Sequence, residues 1–172
     1  MRRLIIMRHA KTERWFEGIN DAARALTDRG KEDSVLIAGK LREMRWVPDH
    51  ALISTARRAI ETWSRMKPVF PETPSTKLDD LYLADVSTLL DVIENQFKGE
   101  TVLLIGHNPG LHELALHFWA HDERREFPAG TEILDYKLPT AAASWFELPG
   151  DTLDLKAATL SGMIYPKAIY PE

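Results

Sequence analysis

Two short apolar segments of this chain each end in a histidine. The first segment, residues 4–7, is followed at once by Arg8 and His9. A short apolar run rich in β-branched side chains is typical of a central strand covered on both faces. In an open α/β sheet, ligands bind outside the carboxyl ends of such strands. We therefore predict that Arg8 and His9 lie at a catalytic or binding site, with an ordinary hydrogen-bonded core histidine as the alternative.

The second segment, residues 101–105, is apolar in the same way and runs into Gly106 and His107. A Pro-Gly turn and a helical pattern follow. Glycine allows close backbone approach, and a helix that starts here directs its free N–H groups back towards the strand end. Because two separate strands each deliver a histidine to a strand end, we predict that His9 and His107 belong to one site.

Length and composition suit one domain that spans residues 1–172 and has a sizeable core, since 44% of the residues are hydrophobic. The absence of cysteine excludes disulfides, thiolate chemistry and cysteine-ligated zinc. The net charge of −4, with both signs mixed along the chain, argues against a nucleic-acid or anionic-membrane surface. The chain has neither a secretory signal nor an apolar run near the ~20 residues that span a bilayer, so we expect a cytoplasmic protein.

Two adjacent arginines lie where a helix is predicted to start, in residues 54–63. A Ser/Thr cap there is followed by Arg57 and Arg58, although the first turn of a helix prefers negative charge. The conflict is resolved if an anion binds at this helix start and one of the two arginines reaches it. Otherwise both are ordinary surface arginines.

Residues 13–25 follow the first predicted strand and have no clean periodicity, so we interpret them as a loop or a short irregular helix. The loop lies within reach of the strand's carboxyl end, which makes Asp21 and Arg24 candidate site residues. Taken alone, each is more simply explained as a solvated charge.

The remaining periodicity alternates helices with short strands. A helix is predicted from a Thr27 cap to a residue near Arg45, and another over residues 86–97. This alternation predicts an α/β domain with helices on both faces of a central sheet. Residues 51–53 and 142–148 are further predicted strands, and residues 153–157 are a candidate partner for the last of them.

Three histidines on one predicted helix raise the question of a metal site. His112 and Glu113 lack a second histidine at the HExxH spacing, so that zinc motif is absent. Only His117 and His121 are four residues apart, and no third ligand is evident. We therefore predict that no metal binds here.

Taken together, these motifs resemble the histidine phosphatase superfamily, also called phosphoglycerate mutase-like, and within it the SixA-type phosphohistidine phosphatases. Arg8-His9-Ala10 matches the family's RHG signature, with alanine in place of glycine. Residues 54–62 match its S-P-x-x-R-A-x-x-T helix start, with threonine in place of proline. Residues 106–110 match its G-H-N-P-G turn. Weaker similarities lie in residues 21–27 and residues 139–142, and the resemblance covers nearly the whole chain.

The resemblance implies a three-layer α/β/α fold with a central, mostly parallel sheet. It also identifies Arg58, rather than Arg57, as the phosphate ligand. No cofactor is expected. The implied catalytic residues are His9, Arg8, Arg58 and His107, and the implied substrate-binding residues are Thr12, Asp21, Arg24 and Asn108.

These residue types suit phosphoryl transfer, which needs an in-line nucleophile and positive charge around the equatorial oxygens. A neutral His9 would attack phosphorus and become a transient phosphohistidine that water then hydrolyses. Arg8 and Arg58 present charged forks to the phosphate oxygens, a role that magnesium plays elsewhere, and Arg24 offers a third. A protonated His107 beside the phosphate dianion would donate to an equatorial oxygen.

The leaving group is the least constrained part of the prediction. Larger members of the superfamily carry an acid that protonates an alkoxide. The candidates in the corresponding segment here, Asp80 and Asp85, match no motif, and Asp21 is a further candidate if the substrate is a small phosphate ester. The lack of a clear acid favours phosphohistidine as the substrate, because its leaving group is an imidazole, which needs less protonation than an alkoxide. We therefore expect phosphohistidine phosphatase activity on a protein, with inorganic phosphate or sulfate as site ligands. The alternatives are a phosphatase for a small phosphorylated substrate and a phosphoryl-binding module without turnover.

Overall fold

The computed structural model describes residues 1–170, in which helices surround one mixed sheet. None of these helices is long and apolar enough to cross a membrane. The strands are β1 (Arg2–Arg8), β2 (His50–Ser54), β3 (Ser75–Leu78), β4 (Thr101–Gly106), β5 (Ala143–Leu148) and β6 (Thr159–Ile164). The α-helices are α1 (Asp28–Glu43), α2 (Arg57–Met66), α3 (Val86–Gln96), α4 (Gly110–His121) and α5 (Pro166–Ile169). Short 3-10 helices lie at Asp21–Ala23, Asp79–Leu81, Glu132–Asp135 and Leu155–Ala157.

The sheet has the strand order β3-β2-β4-β1-β5-β6, with β4 and β1 at its centre. Parallel pairing joins β1 to β4, β4 to β2 and β2 to β3, whereas β5 runs antiparallel to both of its neighbours. The predicted central, mostly parallel sheet is therefore confirmed. Because β1, β4 and β2 run in the same direction, their carboxyl ends meet at one edge of the sheet, where ligands bind in such folds.

Helices cover both faces of the sheet. Side chains alternate between the faces along a strand, so Leu4 and Ile6 pack with α3 and α4, while Ile5 and Met7 pack with α1 and α2. All four side chains are fully buried, which explains why residues 4–7 form a continuous apolar run. The three-layer α/β/α architecture is confirmed.

Helix α1 begins at the predicted cap. The Thr27 hydroxyl oxygen accepts a hydrogen bond from the backbone N–H of Gly30 at 3.0 Å, and the helix ends at Glu43, close to the predicted end. Gly30 also lies against the segment that follows β1, since a Cβ at this position would come within 2.2 Å of the Lys11 carbonyl oxygen. This close approach holds the start of α1 against the residues that leave the central strand.

The predicted partner of β5 is wrong. Within residues 153–157, the chain forms a 3-10 helix instead of a strand, and Asp154 caps it by accepting a hydrogen bond from the Lys156 N–H at 3.0 Å. Besides β1, the strand that pairs with β5 is β6, which comes next in the chain. There Gly162 lies so close to the Trp145 ring that a Cβ would come within 2.4 Å of it.

Candidate active site

The carboxyl ends of β1 and β4 bring His9 and His107 together. Arg8 is aligned with Gly106 in the parallel ladder, and the backbone N–H of His9 donates to the Gly106 carbonyl at 3.1 Å. The two imidazole centroids lie 5.3 Å apart. Both histidines are almost fully buried, with exposed fractions of 6% and 3%. The structure thus places the two predicted histidines in one cluster.

The His9 ring is held in one tautomer by its own neighbour. His9 Nδ1 lies 2.8 Å from the carbonyl oxygen of Ala10, which can only accept a hydrogen bond, so Nδ1 carries the hydrogen and Nε2 carries the lone pair. Burial is the main cause that lowers the pKa of His9 to about 3, and the charges of His107, Arg58 and Arg8 act in the same direction. His9 is therefore neutral near pH 7, which is the state that a nucleophile requires.

Ala10 stands where the family signature has glycine, and its backbone connects β1 to α2. The Ala10 N–H donates to the Thr62 hydroxyl at 3.0 Å, and that hydroxyl donates to the Arg58 carbonyl at 2.7 Å. The Ala10 side chain is fully buried among apolar residues, so a methyl group fits at this position. The connection fixes His9 relative to the helix that carries Arg58.

His107 is held by Ser54, at the end of β2. The Ser54 hydroxyl lies 2.6 Å from His107 Nε2, and His107 Nδ1 is buried without a partner in the described chain. Burial and the charge of Arg58 lower the pKa of His107 to about 4. The expected protonated His107 therefore needs a bound dianion, because without one the ring is neutral. A hydrogen bond donated by Ser54 to Nε2 leaves the ring hydrogen on Nδ1, where it can reach a ligand.

The two adjacent arginines of α2 have opposite environments. Arg58 is 2% exposed, and its guanidinium donates to the Asp21 carbonyl at 2.8 Å and to Asp21 Oδ2 at 2.9 Å. The Arg57 side chain is 60% exposed and pairs with Glu61 at 2.6 Å. Consecutive helical residues point in directions about 100° apart, so only one of the two can face the strand ends.

The expected Ser/Thr cap of α2 is absent. The N-cap residue is Ala56, which makes no side-chain capping bond. The Ser54 hydroxyl lies 3.3 Å from the Ala56 N–H, but its closer contact is with His107. The first turn of α2 thus keeps unpaired N–H groups next to the positive charge of Arg58, which favours an anion at this helix start.

Arg8 and Asn108 converge on a single carbonyl group. The Arg8 guanidinium and the Asn108 amide donate to the Leu138 carbonyl at 3.2 and 2.9 Å, respectively. Burial lowers the pKa of Arg8 from its ordinary value, although the group remains a cation near pH 7. Leu138 lies in the segment before β5, so this contact ties that segment to both strand ends.

Several buried polar atoms at this cluster have no partner in the described part of the chain. The potential donors are Arg8 Nε, Arg58 Nε and His107 Nδ1, and the acceptor is Asn108 Oδ1. Buried N–H groups are almost always paired in folded proteins. Three such donors, two of them on cations, are suited to the oxygens of a phosphoryl group.

The segment after β1 brings Asp21, Arg24 and Thr12 into contact with one another and Asp21 into contact with Arg58. Their role in substrate binding stays a prediction. Asp21 Oδ1 pairs with Arg24 Nε at 3.1 Å, and the Arg24 guanidinium lies 3.4 Å from the Thr12 hydroxyl. A hydrogen bond from Tyr82 and the pairing with Arg58 lower the pKa of Asp21 to about 2. Asp21 is therefore ionised and positions the arginines, and it is poorly suited to donate a proton.

Sequence reasoning missed Tyr82 and the contact of Ser54 with His107. The Tyr82 hydroxyl donates to Asp21 Oδ2, and its ring meets the His107 ring edge-on at a centroid distance of 5.5 Å. The Arg58 guanidinium carbon lies 5.8 Å from the centre of the Tyr82 ring. No motif marks Tyr82 in the sequence, since it lies in the short connection between the 3-10 helix at Asp79–Leu81 and α3.

Neither of the other two acid candidates forms a hydrogen bond or an ion pair with this cluster within the described residues. Asp85 is the N-cap of α3 and accepts a hydrogen bond from the Thr88 N–H at 2.9 Å, which lowers its pKa below the ordinary value. Asp80 is exposed in a 3-10 helix.

The two histidines considered for a metal site lie on α4, where the ring centroids of His117 and His121 are 4.3 Å apart. Within residues 1–170, no group of three or more His, Asp or Glu side chains is arranged to hold a metal ion.

The pKa values of the two site histidines predict an unusual titration. Without an anion, the ring resonances of His9 and His107 should stay constant between pH 7.5 and 5.5, because burial lowers the pKa values to about 3 and about 4. Saturating inorganic phosphate should raise the pKa of His107, since a nearby dianion stabilises the imidazolium. Histidine NMR spectra across this range, recorded with and without phosphate, test both expectations. A midpoint near 6.5 in the ligand-free protein would contradict the burial argument.

Several known proteins resemble this chain in sequence or in structure. No protein-family model matches the chain. An uncharacterized protein of Mycobacterium leprae (strain TN) is 29% identical over 167 residues, which cover 94% of this chain and all of that protein. The crystal structure of the candidate phosphohistidine phosphatase SixA from Agrobacterium tumefaciens matches with a TM-score of 0.80 at 25% identity, over 96% of this chain and 98% of that chain.

Two further structures share the fold. The candidate SixA protein from Nakamurella multipartitia matches with a TM-score of 0.81 at 23% identity, over 96% of each chain. A protein histidine phosphatase SixA complexed with tungstate matches with a TM-score of 0.72 at 22% identity, over 97% of this chain and 99% of that chain. In its fold and over nearly its whole length, this chain resembles the histidine phosphatase superfamily, and within that superfamily the SixA-type proteins.

Proposed function

We propose that this protein is a metal-independent phosphohydrolase that works through a phosphohistidine formed on His9. The observation that carries the proposal is the neutral His9 ring, whose Nδ1 is held by the Ala10 carbonyl and whose Nε2 keeps its lone pair. Beside it lie the half-buried side chain of Arg8 and the buried side chain of Arg58. A nucleophile and fixed positive charge in one buried cluster are the two requirements of phosphoryl transfer.

In the first step, His9 Nε2 attacks phosphorus, and the bond from phosphorus to the leaving atom breaks. The electron pair of that bond goes to the leaving group, which takes a proton from solvent when it departs as imidazole. Arg8, Arg58 and the N–H of His107 face the equatorial oxygens, where negative charge is spread in the transition state. The positive ring of phosphohistidine at His9 keeps its Nδ1–H hydrogen bond to Ala10.

In the second step, water attacks the same phosphorus atom, and the bond from phosphorus to Nε2 breaks. Its electron pair returns to Nε2, the proton of the water is released, and inorganic phosphate leaves. The arginines supply in this scheme the charge neutralisation for which other phosphoryl-transfer enzymes use magnesium. They are permanently charged, so they need no proton transfer to act.

We further propose that the substrate is phosphohistidine on a protein. The support is the lack of a suitable general acid, since Asp21 is ionised in its pairing with Arg58 and Asp85 caps α3. An imidazole leaving group needs less protonation than an alkoxide. The similarity to SixA-type proteins points in the same direction.

A trapping experiment tests the central proposal. The protein is incubated with a ³²P-labelled phosphoryl donor, quenched in base, digested and analysed for labelled peptides. We expect an alkali-stable, acid-labile label on the peptide that contains His9, and none on the peptide that contains His107. A label on another residue would contradict the assignment of His9. Binding of inorganic phosphate without any turnover would favour the phosphoryl-binding module.

The leaving group gives a separate prediction. Without a general acid, alkyl phosphates should turn over at least about 10²-fold more slowly than phosphohistidine peptides or aryl phosphates, because an acid contributes ~10²–10⁴-fold to such a step. The Asp80→Asn and Asp85→Asn variants should leave phosphohistidine hydrolysis nearly unchanged. Steady-state kinetics with the three substrate classes measure this. If either variant selectively loses alkyl phosphate turnover, that aspartate is the acid, and a small phosphate ester becomes the better assignment.

A further inference from the structure

A groove of about 570 Å³ opens beside the candidate active site. Two of its walls are segments that leave the His9 cluster. One contains Lys11, two residues after His9. The other contains Pro139 and Thr140, which directly follow the Leu138 carbonyl that accepts hydrogen bonds from Arg8 and Asn108. Both of these walls are therefore continuous in the chain with residues of the His9 cluster.

The groove is basic, although the protein as a whole has a net charge of −4. Its charged lining consists of Lys11, Arg29, Lys137, Lys167 and a single carboxylate, Asp33. Asp33 is paired with Arg29 at 3.0 Å. The three lysines are exposed and form no ion pair within the described residues, which leaves an excess of positive charge along the groove.

The distribution of these lysines decides which anion fits. A single compact anion is held by buried donors that converge, as at the His9 cluster. Here the lysines come from three separate chain segments and share the lining with the largely apolar residues Ile133, Pro139, Tyr165 and Pro166. Dispersed, solvated cations beside apolar side chains are suited to an extended chain that carries several carboxylates and some apolar contacts.

We propose that this groove, defined by Lys11, Lys137 and Lys167, binds an acidic polypeptide segment next to the phosphorylated side chain of a protein substrate. The inference rests on the proposed function for the phosphoryl site and adds the substrate feature that the enzyme recognises. The groove steers substrates with acidic flanks towards His9, and this attraction weakens as the salt concentration rises.

The test compares two peptides of equal length, each with a central phosphohistidine, flanked by Glu and Asp in one and by Gln and Asn in the other. The wild-type enzyme should show a kcat/KM about tenfold or more higher for the acidic peptide at low salt, because steering of this kind raises association rates by 10–10³-fold. The double variant Lys137→Glu/Lys167→Glu should lose this preference. Its turnover of an aryl phosphate, which is too small to reach the groove, should stay within about twofold of wild type.

The matched control reverses two exposed lysines elsewhere, Lys98→Glu and Lys156→Glu. This control has the same change in net charge and should keep the preference for the acidic peptide. The proposal would be overturned if wild type had equal kcat/KM values for the two peptides. It would also be overturned if the control variant lost the preference for the acidic peptide as fully as Lys137→Glu/Lys167→Glu does. The proposal would also fail if Lys137→Glu/Lys167→Glu lowered kcat/KM equally for the acidic peptide and for a small phosphate ester that carries a carboxylate. The groove would then recognise a second group of a small substrate.

A binding measurement separates this proposal from the proposed function. Fluorescence anisotropy with unphosphorylated acidic and neutral peptides needs no turnover. Wild type should bind the acidic peptide more tightly, and Lys137→Glu/Lys167→Glu should weaken that binding severalfold, whether or not phosphohistidine is hydrolysed. If the enzyme turns over phosphohistidine but binds both peptides alike, only the groove proposal fails. If it binds selectively but turns over nothing, only the proposed function fails.

Discussion

Replacing His9 by alanine should lower kcat by about 10³-fold or more, because the group that accepts the phosphoryl is removed. His9 Nε2 carries the free lone pair, and neither arginine nor a neutral His107 held by Ser54 can take over this role. The measurement is steady-state hydrolysis of an aryl phosphate and of a phosphohistidine peptide. Residual activity above about 1% of wild type would remove His9 from the nucleophilic role.

The control for His9→Ala is that the protein folds and still binds phosphate through Arg8 and Arg58.

The stability of the wild-type protein should fall with decreasing pH because of His9. The pKa of His9 is about 3 when folded, against an ordinary value of 6.5, so the unfolded chain binds more protons between these values. Wild type therefore loses stability at this residue as the pH falls below about 6.5. The alanine variant lacks this contribution and should lose less stability over the same range, where the lowered pKa of His107 still acts. Thermal melting at pH 7.5 and pH 5 measures the difference.

The second large effect is expected for Arg58→Ala. This change removes a buried guanidinium that pairs with Asp21 and has an unpaired Nε at the cluster. Arginine contacts to a transferring phosphoryl group contribute ~10³–10⁵-fold to rate in other enzymes, so we expect a loss of similar size. Phosphate, sulfate and vanadate should raise the melting temperature of wild type, as ligands of the folded state do, and this stabilisation should largely disappear in the variant.

Arg57→Ala is the matched control for this prediction. Its side chain is 60% exposed and pairs with Glu61, and exposed pairs of this kind contribute only ~0.3–0.5 kcal/mol. Activity and phosphate stabilisation should stay near wild type. Arg58→Lys keeps the charge but loses the planar fork, so its activity should lie between those of wild type and Arg58→Ala. It should also fold if the alanine variant does not. A larger effect of Arg57→Ala would mean that the wrong arginine has been assigned.

Much of the fold was predictable because its signals are local. The apolar run at residues 4–7 identifies a strand buried on both faces, and Thr27 identifies the start of α1 through a hydrogen bond to Gly30. The pairing of β5 was not predictable in this way. Residues 153–157 have strand-like hydrophobicity, but Asp154 caps a 3-10 helix there, and β6 packs Gly162 against Trp145. That residues 1–172 form a single domain stays a prediction.

For the site, the sequence by itself determined which residue types follow the strands and the helix start, and with the family motifs it singled out His9, Arg58 and His107. Only the tertiary structure decided their chemical states. The pKa of His107 depends on burial and on the charge of Arg58, and neither can be computed from neighbours in the chain. The contacts of Tyr82 with Asp21, Arg58 and His107 join four separate chain segments. Such contacts carry no local signal, because packing that closes long loops, rather than the propensity of any one segment, creates them.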